Sequence, residues 1–360
     1  MIRARPLGLT PPMCASQVWG MLKGALSELL VRSKALSAFQ VGASALDGLL
    51  KKTALRPSLE RGGLILMLHS ISERPSPFGL SDSVEWFDRF CELAAEAYDV
   101  MPLAELESRR RAGTLPARAM ALTFDDGYAD NHDLAWPVLR KHGLPATLFV
   151  TTGTVGGAKL LWFRRVAFIF ETAQPKELPV TVGPWTFPLD TEGDRVASAQ
   201  RTAEALKKMP AAQREEVIAA MAEAFGVTDF SPLQREMVTW DQLRAMDAAG
   251  FSVEAHTVTH PILSAETIDD AAREIAESRE VLSAELRRPV ELFAYPNGKS
   301  EDFTDDVARA VERAGFRAAF TAEFHAASPA NDPYKIPRVT AYARDEAGLR
   351  VQLERFFYLT

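Results

Sequence analysis

Short apolar runs recur along this chain at residues 64–68, 119–126, 146–151, 251–256, 291–295 and 316–321, each stopped by glycine, proline or a polar side chain. Runs of this length without polar alternation belong to strands buried on both faces. Between them lie segments of helical period, at 83–97, 131–142, 240–249, 268–286 and 303–314, several closed by glycine. Strand, helix, strand repeated in this way demands a parallel sheet with crossover helices. With a last extended stretch at 336–342 the strands number about seven, which favours an incomplete barrel over an open sheet. A chain of 360 residues, 47% hydrophobic and 25% charged, has room for one such α/β domain with appendages.

The rhythm breaks twice. Residues 1–60 read as an N-terminal helical arm, with Val18, Met21, Leu22, Ala25, Leu26, Leu29 and Leu30 on one stripe. That stripe packs on the domain or, alternatively, makes peripheral contact with a membrane or a partner. Residues 154–239, between barrel parts at 61–153 and 240–345, read as a mostly helical insertion. It comprises a helix at 161–170, a hairpin turning at Gly183-Pro184 and a helical stretch at 195–225 broken by Pro210. An insertion on that rim is placed to shape substrate access or, alternatively, simply packs on the periphery. Residues 346–360 form a closing helix.

The formal net charge of −7 and the lack of a dense basic run argue against nucleic acid as a partner. Cys14 and Cys91, the only cysteines, cannot build a disulfide framework and suit a reducing compartment. No stretch approaches the roughly 20 apolar residues of a transmembrane segment. Arg3 and Arg5 are followed by Pro6, Pro11 and Pro12 rather than by a compact apolar leader core, so a cytoplasmic location is expected.

Chemistry concentrates in two places. The run 119–124 ends in Asp125-Asp126-Gly127-Tyr128, which sets two carboxylates at a strand's carboxyl end, where parallel α/β folds bind ligands. Neighbours on a strand point to opposite faces, so the two carboxylates should do different jobs. Far downstream stand His256 and His260, followed by Pro261. Four residues of strand would separate the two imidazoles by roughly 13 Å. A coil between them brings positions i and i+4 to roughly 6 Å, close enough to share an ion. Pro261 disfavours a continuing helix, so an irregular turn leaving a strand is expected.

Residues 122–128 (LTFDDGY), 254–261 (EAHTVTHP) and 292–298 (LFAYPNG) together resemble the signature motifs of the polysaccharide deacetylases, the NodB homology or carbohydrate esterase family 4 group. The likeness extends to 66–69 and 315–321 and spans roughly 63–342, apart from the insertion. It implies a distorted (β/α)7 barrel and hydrolysis of an acetamide on an N-acetylated glycan. It also implies that Asp126, His256 and His260 bind a divalent metal, zinc first, with cobalt, nickel or manganese also accepted, and that Asp125 is the general base. The backbone N–H of Tyr295 is the candidate oxyanion donor. His69, at the end of the first strand, is the candidate general acid. The arginine usual before the third motif is missing, since Phe293 and Ala294 precede Tyr295, and Arg338 is the candidate replacement. Glu254 should share a face with His256 and support it.

Other readings use the same residues. An O-ester deacetylase or deformylase needs the same site. Two histidines and one carboxylate also describe an iron oxygenase, though the strand and helix rhythm argues against one. A non-catalytic glycan-binding protein would have no reason to retain both carboxylates and both histidines.

Overall fold

The computed structural model describes residues 62–173, 180–341, 343 and 345–358. The expected N-terminal arm, and with it any membrane contact, lies outside the described residues. The apolar runs form seven strands: β1 (Leu64–Leu68), β2 (Ala119–Phe124), β3 (Thr147–Val150), β4 (Ser252–Ala255), β5 (Leu292–Ala294), β6 (Ala318–Phe320) and β7 (Val339–Thr340). Their order across the sheet is β6-β5-β4-β3-β2-β1-β7, every neighbouring pair parallel, and a short eighth strand, Asp99–Val100, pairs in parallel with β2 off this path. The sheet curls until its edges share one segment. Ile336 bridges Phe320 of β6, exchanging bonds of 2.8 Å with Thr321 and 3.0 Å with Ala319, and three residues later Val339 pairs with Leu66 of β1. The architecture is the distorted (β/α)7 barrel anticipated above.

Strand alternation sorts the core into two layers. Ile65, Ala121, Phe149, Leu292, Ala294 and Phe320 fill the barrel interior, while Leu66, Leu122, Leu148, Val253 and Phe293 face the surrounding helices. Those helices are α1 (Val84–Ala97) and α3 (Trp136–His142), with four more after the insertion, whereas α2 (Leu103–Ala112) sets Leu103 and Leu106 in the interior layer. The insertion contributes α4 (Trp162–Thr172), α5 (Glu192–Leu206) and α6 (Ala211–Phe225) with the antiparallel hairpin Val180–Val182 and Trp185–Phe187. The later helices are α7 (Trp240–Ala248), α8 (Ile268–Leu286), α9 (Asp305–Arg313) and α10 (Glu346–Tyr358). In α8, Thr267 caps the first turn by accepting from Asp270, and Ala271, Ile275, Ser278 and Leu282 form the buried stripe. In α1, Ser83 caps, and Phe87 packs on Phe90 and edge-on to Phe124 of β2, with ring centroids 6.3 and 5.7 Å apart.

The insertion has a core of its own, where Phe170, Phe187 and Phe225 meet edge to face at 5.1–5.7 Å. It is not detached from the barrel: Ile262, just past the second histidine, is part of that cluster. Chain entry into α3 is irregular, through a π-helical turn at Asn131–Ala135. This turn follows the Asp125-Asp126 loop and is tied to the loop after β1. Ser70 Oγ and the Ile71 N–H donate to the Asp130 carboxylate at 2.5 and 3.1 Å, and Asn131 Nδ2 donates to the His69 carbonyl at 2.7 Å. Burial pushes the Asp130 carboxyl up to about 7 despite those two donors.

Two outcomes follow from this packing. Phe87→Ala removes a fully buried ring from the α1 interface and should cost about 3–5 kcal/mol in denaturant unfolding, and a loss below about 1 kcal/mol would mean the helix is not packed there. The Asp130 value lies above that of an unfolded carboxyl. Its contribution to stability is therefore complete below the ordinary carboxylate range and is lost as pH rises through about 7. Unfolding midpoints of the wild type should fall between about pH 4 and 7 more steeply than those of Asp130→Asn, and parallel profiles would contradict this.

Candidate metal centre

Asp125 and Asp126 leave β2 at the carboxyl-end mouth of the barrel. Asp125 continues the inward alternation of Ala121 and Thr123. Asp126 would by the same rule turn outward with Phe124, but its backbone takes φ 77°, followed by Gly127 at φ 92°. The left-handed bend carries the second carboxylate into the mouth as well. Among the described residues the non-glycine positions with positive φ are Asp126, Thr257, His260, Arg287 and Asn297, and all but Arg287 lie in the motif loops. Each such residue costs on the order of 1–3 kcal/mol and persists only where its surroundings over-determine it.

The surroundings are visible at the histidine turn. His256 extends β4, its N–H donating to Val150 of β3 at 3.0 Å. Thr257 (φ 63°) then coils the chain, and its Oγ1 accepts from the His260 N–H at 3.1 Å. From α8, the Glu274 carboxylate accepts from the N–H groups of Val258 and Thr259 at 2.8 Å each and from Thr259 Oγ1 at 2.6 Å. On the barrel side Gly153 donates to the Val258 carbonyl at 2.8 Å, and a side chain at Gly153 would put its Cβ 2.5 Å from that oxygen. Only glycine allows this approach. The irregular turn expected from Pro261 is therefore real, and its cause is a set of donors and acceptors spread over β3, α8 and the turn itself.

The coil brings His256 Nε2 to 3.6 Å and His260 Nε2 to 3.3 Å from Asp126 Oδ1, with all ligand atoms within 4.8 Å of one another. His256 Nδ1 lies 2.8 Å from the Ala294 carbonyl, which can only accept, so the proton is on Nδ1 and the Nε2 lone pair faces Asp126. Four donors placed 2.1 Å from a tetrahedral cation stand about 3.4 Å apart. The two distances from Asp126 Oδ1, 3.6 and 3.3 Å, match that edge. All three residues are buried, and both Asp126 oxygens lack a hydrogen-bond partner among the described residues. An ionised carboxylate in that condition calls for a cation. Burial works to raise the Asp126 carboxyl, but the facing imidazoles of His256 and His260 prevail and hold it well below the usual range. Burial likewise keeps His260 below its ordinary value, in the neutral form that ligates metal.

Asp125 meets a different partner. Both its oxygens accept from Arg338, at 2.7 Å each, in a two-pronged pair that is almost wholly buried. Arg338 also donates to the Thr321 carbonyl at 3.1 Å and to Thr123 Oγ1 at 3.2 Å. Burial opposes ionisation of Asp125, yet Arg338, with His256 and His69, holds the carboxyl below its usual value. His69 stands at the end of β1, half-buried, on the same rim as both carboxylates.

Two expectations need correction. The Tyr295 N–H donates to the Phe320 carbonyl at 3.1 Å as part of the barrel ladder, so it has no hydrogen to offer a reacting oxygen. Its hydroxyl is engaged by the Tyr334 carbonyl at 2.9 Å, and its ring stacks on Phe303 at 4.0 Å. Tyr295 is structural; the unengaged side-chain donor of that loop is Asn297 Nδ2, which is buried and has no partner among the described residues. Glu254 does not support His256. Its carboxylate accepts from Glu291 N–H at 2.9 Å, Leu292 N–H at 2.8 Å and Arg288 at 3.1 Å, one strand step deeper in the barrel. The insertion supplies contacts that no sequence motif announced. Trp162 Nε1 donates to the His260 carbonyl at 3.1 Å, and the Phe163 ring lies 5.0 Å from the His260 imidazole. On the same rim a groove of about 770 Å³ is lined by Ser70, Tyr128, Asp130, Arg164, Arg235 and Glu236, among others.

The barrel has counterparts among solved structures. A deacetylase from Streptococcus pyogenes, PplD, determined in complex with acetate, superposes with a TM-score of 0.55 at 20% identity, covering 83% of this chain and 99% of that one. IcaB from Ammonifex degensii gives 0.53 at 20% identity, covering 81% and 96%. At such identity these likenesses concern the fold. In sequence, the chain is 46% identical to YxkH of Bacillus subtilis strain 168, named for the polysaccharide deacetylases, over 39 residues, 11% of this chain and 14% of the relative. The polysaccharide deacetylase family model matches residues 112–319, which contain both carboxylates, both histidines and the whole insertion, and on that match this chain belongs to the polysaccharide deacetylase family.

Proposed function

We propose that this protein is a metal-dependent hydrolase that removes N-acetyl groups from an amino sugar in a polysaccharide, oligosaccharide or lipid-linked glycan. The observation that carries the reading is the division of two adjacent buried carboxylates. Asp126 faces two imidazoles at ligand spacing, and Asp125 is clamped by Arg338. Asp126, His256 and His260 would hold the cation. Zinc suits one carboxylate and two imidazoles best, and when bound it activates a water near neutral pH and polarises the acyl carbonyl.

The protein's own groups then have distinct tasks. Asp125 takes a proton from the attacking water. A carboxylate offers about four acceptor sites and Arg338 occupies two, so acceptor capacity remains while the orientation is fixed. As the oxygen–carbon bond forms and the carbon–nitrogen bond breaks, the leaving nitrogen needs a proton, and His69 is the group on this rim suited to give it. The products are acetate and the free amine. The adjacent groove mixes Arg164, Arg235, Asp130 and Glu236, a polar and charge-balanced lining that fits a hydroxyl-rich sugar chain. No helix among the described residues is long and apolar enough to cross a membrane.

Acetate release from N-acetylated glycans, measured with the protein loaded with zinc, cobalt, nickel or manganese, tests the reading directly. Chelation should abolish turnover and re-addition of metal restore it. Asp125→Asn should lower kcat by about 10²–10⁴-fold while metal content stays the same, and unchanged turnover would refute the assignment of the base. Arg338→Ala leaves Asp125 buried and unpaired and should destabilise the fold by about 3–5 kcal/mol. Adding Asp125→Asn to that variant should recover part of the loss, whereas strictly additive effects in denaturant unfolding would show that the two side chains are not coupled.

A further inference from the structure

The histidine turn is secured on its amino side by Thr257 and Glu274, while the carbonyl of His260 is held by the insertion. Trp162, the first residue of α4, is 2% exposed, and its indole N–H donates to that carbonyl at 3.1 Å. The next residue, Phe163, lays its ring against the His260 imidazole at 5.0 Å and edge-on to Trp162 at 5.6 Å. On the indole, 4.6 Å from the ring, sits the guanidinium of Arg214 from α6. Arg214 is itself 2% exposed, and its Nε and Nη1 have no hydrogen-bond partner among the described residues. Leaving a guanidinium buried and incompletely bonded is costly. Its contact with the ring face, a cation–π contact, helps fix the plane in which the indole can point. The insertion thus presents a ring of set orientation whose one polar atom meets the backbone of His260, a residue in the left-handed region at φ 58°.

We infer that Trp162 is a positioning residue for His260, so that the insertion completes the metal centre rather than merely bordering it. The inference rests on the metal reading above. Without the indole N–H, the His260 carbonyl loses its restraint, the backbone relaxes, and Nε2 no longer stands at ligand distance from Asp126 Oδ1 and His256 Nε2. Groups that orient metal ligands commonly change affinity by 10–100-fold when removed.

The test compares full-length wild type with Trp162→Phe, which keeps an aromatic ring and deletes the donor. The readouts are zinc affinity, by competition with a chromophoric chelator, and the visible absorption of the cobalt-substituted protein. Trp162→Phe should bind zinc about 10–100-fold more weakly and show an altered cobalt spectrum. Phe225→Leu, which loosens the insertion core at the Phe170 and Phe187 rings without touching Trp162, should lower the melting temperature but leave zinc affinity within about twofold. Equal zinc affinity in wild type and Trp162→Phe overturns the inference alone. Weakening by Phe225→Leu in proportion to its lost stability also overturns it, because the effect would then be general loosening. A wild-type protein that binds no divalent metal overturns both this inference and the metal reading.

Discussion

Two ionised carboxylates on consecutive residues, both withdrawn from water, are the constraint to which the rest of the barrel mouth answers. Left alone they would repel each other and resist ionisation. The fold separates their charges by sending each to a different counter-charge. Asp125 receives a guanidinium from the last strand segment, across the line where the barrel closes. Asp126 is swung by its left-handed backbone toward two imidazoles that follow β4, two strands along the sheet. The closure of the barrel and the chemistry of its mouth are therefore one problem. Arg338 can reach Asp125 because residues 336–340 lie between β6 and β1.

The histidine turn shows how a weak sequence pattern becomes a site. Two histidines four residues apart can share an ion only if the chain coils, and a single turn of left-handed residues has little stability of its own. Here Glu274 collects two N–H groups and a hydroxyl, Gly153 lets β3 approach to hydrogen-bond distance, and Trp162 holds the last carbonyl. These residues come from a helix, a strand end and the insertion. Each is unremarkable where it stands in the chain. The insertion, expected to shape access or to pack on the periphery, has an apolar core of its own and also extends an aromatic edge to the second histidine.

The corrected positions share a cause. Glu254 is placed by strand alternation and Tyr295 by its position in the third signature stretch. Alternation tells which side a residue faces but not what else competes for its polar groups. The Tyr295 N–H belongs to the ladder between β5 and β6, and Glu254 lies deep enough to meet the entry of β5 instead of the imidazole above it. Alternation failed in the other sense at Asp126, where a positive φ reverses the face.

What the residues alone determined was the strand and helix rhythm, hence a parallel barrel, together with the kind of side chain available at each strand's carboxyl end. These are local properties: buried strands need apolar runs, helices need caps and period, and both can be read within a few residues. The chemical types in the signature stretches were legible for the same reason, as was the need for a coil between His256 and His260. Tertiary structure decided which partners those groups meet. The Asp125–Arg338 pair spans 213 residues of chain, and the Trp162–His260 bond spans 98. Contacts of that separation are set by how helices and strands pack around a closed sheet, and no local periodicity encodes them.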